Sequence, residues 1–575
     1  MSEHGAPPHP APDAAISTNE KSPSPPTDKK HNDLEADVRS VHSIAVEQQL
    51  QRGLKQRHMA MISIGGVIGT GLFVGTANAL ANGGPLGLFL AYSIVGSVCF
   101  SVMISLGEIV SMFPLPGGHI RLAERFVEPA LSFTLGWNYW YNWVIIMPAE
   151  LSAAAIIINF WTKSVNNAAW VSITLVVTII INLFGSKGYG EAEFWFASIK
   201  VITITGLIIL SIIITAGGGP NHETIGFRYW KHPGPFVQYL GIPGATGRFL
   251  GFWACINQAA FSFIGTEIVA IAAGEAQNPR RAIPRAIKKV YIRILLFYML
   301  GTFCIGLLVP SNEPGLSLGN KDAKGSPFVI AIQNAGIKVL PSIVNAALLT
   351  SAWSAASSDL YTSSRALYGM ALSKNAPKIF SKTTKRGLPL LSLIVCAAFG
   401  LLAFMAVSNG AGKVFGWFAN MTSVAGLMTW FGICIVYLRF YAGLKSQGID
   451  RTTLPFASKL QPYAAIYGCV MCFVFCLFSG FSVFIRGQWA VDTFVTTYFP
   501  LMFFFVLWGG SKLYYRSKWV SPETWTSTAV WRRSKLRLTM SRRHATLPNV
   551  SGAGSSEPST LSGLRTQNWS KHNVT

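Results

Sequence analysis

The chain has 575 residues, 50% hydrophobic and only 12% charged, with a mean hydropathy of +0.39. Soluble domains carry about 25% charge, so a soluble globular enzyme is a poor reading, and no P-loop or HExxH pattern offers catalytic chemistry. The net charge of +23 needs no nucleic acid. Its basic residues crowd into loops between apolar runs and into the tail from 511 onward, with Arg532, Arg533, Lys535, Arg537, Arg542 and Arg543, where they suit an anionic lipid surface.

Residues 1–50 are rich in Pro, Ser, Asp and His and lack an apolar signal-like stretch. They read as a disordered cytoplasmic tail. Apolar runs then begin near residues 59, 86, 131, 168, 195, 250, 291, 339, 389, 415, 463 and 493. A hydrocarbon core of ~30 Å needs roughly 20 residues of helix, so these predict an all-α membrane protein with twelve transmembrane helices over 51–515. The third run holds Asn138, Asn142 and Glu150, and the eighth is rich in Ser and Ala, so these two are the least regular. Residues 516–575 form a second, basic and mostly disordered tail.

Basic loops set the orientation. Arg280, Arg281, Arg285, Lys288 and Lys289 follow the sixth run, and Lys374, Lys378, Lys382, Lys385 and Arg386 follow the eighth. The alternate loop 81–85 has no basic residue, whereas 217–249 carries Arg228, Lys231 and Arg248 as an exception. On balance the even-numbered spans end in the cytoplasm and both termini are cytoplasmic. The eight cysteines, Cys99, Cys255, Cys304, Cys396, Cys434, Cys469, Cys472 and Cys476, all fall in apolar runs. They read as small packing residues, not as a metal site or a disulfide framework.

Two runs carry the same interruption. Ile68-Gly69-Thr70-Gly71 and Ile264-Gly265-Thr266-Glu267 both place Ile-Gly-Thr inside apolar sequence, 196 positions apart. That offset lays the sixth span over the first and makes spans 1–5 and 6–10 two repeats. An odd number of spans per repeat forces the two to sit in opposite orientations. Glycine costs about 1 kcal/mol against alanine inside a helix. One glycine cluster alone also suits close helix packing; a pair at equivalent positions points to broken helices and a binding site at the bilayer midplane. Unwinding 65–71 frees backbone groups that lipid cannot satisfy. The N–H groups at the start of the following half-helix, Gly65, Gly69, Thr70 and Gly71 among the residues around it, suit a carboxylate. Freed carbonyls at Ser262, Phe263, Ile264 and Gly265 suit an ammonium group. Together they fit an α-amino acid.

Ionisable side chains inside apolar runs cost roughly 2.5–3.5 kcal/mol each on insertion scales, so each needs a reason. Glu267 borders the second break and is placed to bind backbone, proton or substrate. Lys200 lies five residues into the fifth run, either projecting towards the first break or snorkelling at the cytoplasmic end. Glu108 closes the second run, at a cytoplasmic gate. Glu150 follows Pro148, which can kink the third run. Asp359 lies in a polar, Ser-rich stretch and reads as a structural hydrogen-bonding residue as readily as a functional one. Trp137, Tyr139, Trp140, Tyr141 and Trp143 read as an interfacial or packing belt.

The stretches IGGVIGTGLFVGTA at 64–77, RFVEPALSFTLGWNYWYNW at 125–143, FIGTEIVAIAAGEAQNPRRAIPRA at 263–286, SAASSDLYTSSRALYGMALSKNAPKIFSKTTKRGLP from 354 and FANMTSVAGLMTWFGI at 418–433 resemble the fungal amino acid permeases of the amino acid–polyamine–organocation superfamily. The resemblance covers about residues 50–515. It implies the LeuT-type fold, with inverted five-helix repeats, broken helices 1 and 6 and two further helices. It also implies proton symport of L-amino acids across the plasma membrane by alternating access, with a proton as coupling ion and no cofactor. By the same resemblance Lys200 stands as a fixed cation in place of sodium, Lys200, Glu267, Glu108 and Glu150 are the proton-coupling candidates, and the ring of Phe263 covers the substrate as a thin gate. His119, after Pro116-Gly117-Gly118, and Ser357-Ser358-Asp359 depart from the family pattern, which bears on substrate choice. A non-transporting amino acid sensor is the alternative of the same fold. A cation–chloride cotransporter would carry large cytoplasmic domains. Lysines and serines in the tails allow ubiquitin and trafficking machinery as partners.

Overall fold

The computed structural model describes residues 61, 68–113, 117–162, 164–268, 287, 289–317, 325–384 and 387–523. The expected tail 1–50, Gly65, the basic segment 280–286 and residues 524–575 lie outside the described residues. Among the described residues the chain is helical, with no strand.

The principal helices are α1 (Thr76–Met112), α2 (Gly118–Phe126), α3 (Pro129–Ile158), α4 (Asn167–Leu183), α5 (Gly185–Thr215), α6 (Gly244–Phe263), α7 (Leu300–Leu308), α8 (Pro327–Asn334), α9 (Leu340–Leu372), α10 (Leu390–Phe399), α11 (Ala411–Ser446), α12 (Tyr463–Phe478) and α13 (Val491–Tyr515). Prolines open α3, α8 and α9, where the missing N–H costs nothing. Asn166 caps α4 by accepting from the Ala168 amide at 2.9 Å. Gly84, at φ 74° and ψ 176°, bends α1 into two arms. The freed groups of that corner find partners in the loop before α6: the Leu86 amide donates to the Pro235 carbonyl at 3.0 Å, and the Val237 amide to the Gly83 carbonyl at 3.4 Å. A side chain at Gly84 would strike the Pro235 carbonyl at 2.8 Å, so glycine is required there twice over.

Among the described residues, seven segments are long and apolar enough to cross a membrane: Gly71–Met112, Pro129–Ile158, Gly188–Thr215, Lys289–Leu308, Leu390–Asn409, Ala411–Ser446 and Val491–Tyr515. Asn167–Leu183 and Tyr463–Phe478 are shorter apolar helices. The twelve apolar runs do not become twelve long apolar helices for physical reasons. Gly71–Met112 joins one run to the next through the Gly84 corner. α6 and α9 are long but less apolar, and in α9 the polar side chains turn inward. Ser351, Ser354, Ser357, Ser358, Asp359, Ser363 and Ser364 of α9 are all buried.

α3 lies at the centre, with α9 and α11 along its sides, while α1 runs along α6. The polar residues of α3 serve this interior position. Asn138 donates from Nδ2 to the Ala425 carbonyl at 2.9 Å and to Thr429 Oγ1 at 3.0 Å. α5 and α13 are peripheral and leave Ile202, Ile209, Val506 and Leu513 more than half exposed, as expected of faces solvated by lipid.

Candidate functional site

At both predicted interruptions the described residues leave the helix. Ile68 and Gly69 lie outside helix, and helix begins at Thr70 with a widened turn over Gly71–Gly75. α6 stops at Phe263; Ile264 is extended, Gly265 has φ 95°, and the chain turns through Glu267. The second turn is held by its own threonine. Thr266 Oγ1 donates to the Phe263 carbonyl at 2.6 Å and accepts from Arg293 Nη2 at 2.8 Å. At the first break, Ser351 Oγ reaches the Ile68 carbonyl at 3.4 Å.

The two breaks touch. A Cβ on Gly71 would meet Ser262 Cα at 2.8 Å and Ser262 Oγ at 2.9 Å. The Tyr92 hydroxyl spans the seam, 2.7 Å from Ser262 Oγ and 3.5 Å from the Gly71 carbonyl. A pocket opens beside this contact. It is lined by Gly69 and Gly71 of the first break, Phe261, Ser262, Ile264 and Gly265 of the second, Trp143, Ile146 and Glu150 of α3, and Ala355, Ser358 and Asp359 of α9.

Glu150 ties α3 to the first break: its Oε1 accepts from Thr70 Oγ1 at 2.9 Å. Gly69 leaves room for that carboxylate, since a Cβ there would lie 3.3 Å from Oε1. Oε2 of Glu150 and Oδ2 of Asp359 are buried without a hydrogen-bond partner among the described residues. A small cationic group in the pocket would meet both. Lys200 is 1% exposed, which removes the snorkelling alternative. It interacts electrostatically with Glu193, Glu150 and Asp359, so it stands behind the pocket wall and not on it.

The other sequence candidates are distributed differently. Glu267 does not line the pocket. It is fully buried, and its Oε2 accepts from Trp430 Nε1 at 3.0 Å, which anchors the second break to α11. The ring of Phe263 is not on the pocket wall either. It stacks on Tyr298 with ring centres 4.4 Å apart, and Phe261 lines the pocket. Two positions on a helix are about 200° apart, so one ring facing the pocket turns the other away. Glu108 is remote: it accepts from Tyr437 at 2.6 Å and pairs with Arg451 Nη2 at 2.8 Å. His119 is buried and packs edge-on to Tyr139, ring centres 5.2 Å apart. Trp143, read as belt or packing, lines the pocket, and Asp359, read as equally structural, lines it too. Tyr92, Trp430 and Glu193 were missed. For Glu193 a signal existed, since it sits seven residues before Lys200, two turns along the same helix face.

Sequence comparison places this geometry among known proteins. The family model described as amino acid permease matches residues 58–521. The chain is 42% identical to the proline-specific permease of Emericella nidulans over 82% of its length and 86% of that protein. It is 43% identical to the dicarboxylic amino acid permease of Saccharomyces cerevisiae, over 82% and 78% of the two chains, and 42% identical to the lysine-specific permease of the same yeast, over 85% and 79%. These relatives are transporters and not enzymes, and a match of this extent leaves one assignment: the chain belongs to the amino acid permease family.

Proposed function

We propose that this protein takes up L-amino acids by proton symport through alternating access, within a LeuT-type fold of twelve spans at the plasma membrane. The contact between the two helix breaks at Gly71 and Ser262 carries this reading. In support, the helix start of one break lies against the helix end of the other, and Glu150 and Asp359 line the pocket beside them. The substrate carboxylate would take the amides near Gly69, Thr70 and Gly71. Its ammonium would take the carbonyls near Ser262 and Ile264 together with a carboxylate. The remaining wall, Trp143, Ile146, Phe261 and Ile268, is apolar and suits an uncharged side chain. Lys200 serves as a fixed cation beside the first break, and Glu150 links substrate and proton through Thr70. Glu267 and Glu108 hold elements in place through Trp430 and Arg451.

The test is uptake by the purified protein in liposomes, across all common amino acids, with and without an imposed pH gradient. Neutral amino acids with apolar side chains should accumulate when the outside is acidic. Uptake indifferent to the gradient refutes symport while leaving transport intact. Saturable binding with no uptake makes the protein a sensor.

A further inference from the structure

We propose that Glu193 holds the coupling proton, and that Ser358 passes it between the substrate pocket and that carboxyl. Glu193 is not on the pocket wall and is 1% exposed. Its Oε2 accepts from Ser354 Oγ at 2.6 Å and from Ser358 Oγ at 3.4 Å, both on α9. Ser358 is itself a pocket residue, and its hydroxyl also lies 2.9 Å from the Tyr189 hydroxyl. One side chain thus touches the pocket, the hidden carboxyl and a tyrosine. Oε1 of Glu193 has no hydrogen-bond partner among the described residues, so no donor at that oxygen holds the carboxyl in its charged form.

Charge balance gives the reason to load it. Lys200 and Tyr189 on its own helix and Asp359 from α9 interact with Glu193, Glu150 from α3 shares Lys200 with it, and Arg365 of α9 acts on Tyr189 and sits over the Tyr361 ring. Arg365 is taken up by that ring and by the Tyr361 carbonyl. Three buried carboxyls then share one lysine. Unpaired buried charge is strongly unfavourable, so protons must remain in the cluster whenever the pocket is without a cation. An ammonium arriving against Glu150 and Asp359 changes that balance, and Glu193, screened from the pocket, is the member that can keep a proton while substrate occupies the site. In the transfer, Ser358 Oγ receives a proton from the pocket side as its own hydroxyl proton passes to Glu193 Oε2. No charge is left on the serine, and the reverse step releases the proton.

This assignment rests on the proton-symport reading. It is tested in proteoliposomes with Glu193→Gln and Glu193→Asp, each measured for accumulation driven by a pH gradient and for exchange of internal for external labelled substrate. Glu193→Gln should lose about tenfold or more of its driven accumulation, since the coupled charge is what sustains the gradient, yet still exchange substrate. Glu193→Asp should recover part of the driven accumulation. Driven accumulation in Glu193→Gln equal to wild type overturns the proposal. So does parallel loss of both activities in Glu193→Gln with no recovery in Glu193→Asp, which marks a structural residue. If wild type itself ignores the pH gradient, the symport reading fails first, and the wild-type control shows it.

Discussion

Gly71 is the tightest residue of the site. Its missing side chain lets the first break lie on the backbone of Ser262, and that neighbour is Cα, which cannot swing away. Gly71→Ala should therefore separate the two breaks and reduce substrate affinity about fivefold or more, since overpacking such a contact costs about 1–3 kcal/mol. Gly75 is the control: a Cβ there meets nothing within 4 Å, and Gly75→Ala should bind like wild type. Substrate-dependent thermal shifts of the two variants check both. Thr70→Val tests the polar partner of the same break. It removes the donor to Glu150 Oε1 and leaves a buried carboxylate oxygen unpaired, a loss of about 1–3 kcal/mol that should appear as a lower melting temperature without substrate. At this scale the sequence was informative where chemistry was unusual for its surroundings. Glycines in apolar sequence and Glu267 beside one of them stood out. Tyr92 and Trp430 did not, because an aromatic residue in a membrane helix is the ordinary case.

The elements are joined by buried carboxylates at their ends. Glu108, at the end of α1, holds Tyr437 of α11 and Arg451 of the following loop; Arg451 also donates to the Ser458 carbonyl at 2.9 Å. Glu128, just before α3, accepts from Trp508 Nε1 at 2.7 Å and from Ser517, and pairs with Lys512 at 3.1 Å, all from α13 or just after it. The Val520 amide then donates to the Val127 carbonyl at 2.8 Å, so the start of the C-terminal segment is strapped to the α2–α3 corner. The two partners of the Glu108 pair are unequal. Glu108 is fully buried, whereas the Arg451 side chain is 21% exposed. Arg451→Gln strands a carboxylate with no access to water and should destabilise by a few kcal/mol, up to about 3–5. Glu108→Gln leaves a guanidinium that water can reach and should cost less. Thermal unfolding in detergent should rank Arg451→Gln well below Glu108→Gln.

For the whole molecule, the segregation of faces matters most. Peripheral α5 and α13 turn apolar side chains outward, while central α3 and α9 turn glutamate, aspartate and serine inward. In lipid the polar side chains can gather only inside, so the interior becomes a polar seam that includes the pocket. Under the proposed symport, a zwitterion carried with one proton would move one positive charge across this seam. A potential of 100 mV then contributes about 2.3 kcal/mol, or roughly fiftyfold accumulation. An inside-negative potassium diffusion potential should increase uptake of a neutral amino acid in proteoliposomes, and an inside-positive one should suppress it.

Local sequence by itself determined that the chain is a bundle of membrane helices with two interruptions, around 65–71 and 262–267. Hydropathy and glycine's backbone freedom act over a few residues and need no distant partner. Only the tertiary structure decided which side chains meet. A step of one residue turns a helix face by about 100°, and the rotation of each helix is set by packing against neighbours far away in sequence. That is why Phe261 and not Phe263 faces the pocket, why Asp359 joins Glu150 there, and why Glu193, which alone reads as a polar residue near a helix end, sits buried between Lys200 and two serines of α9.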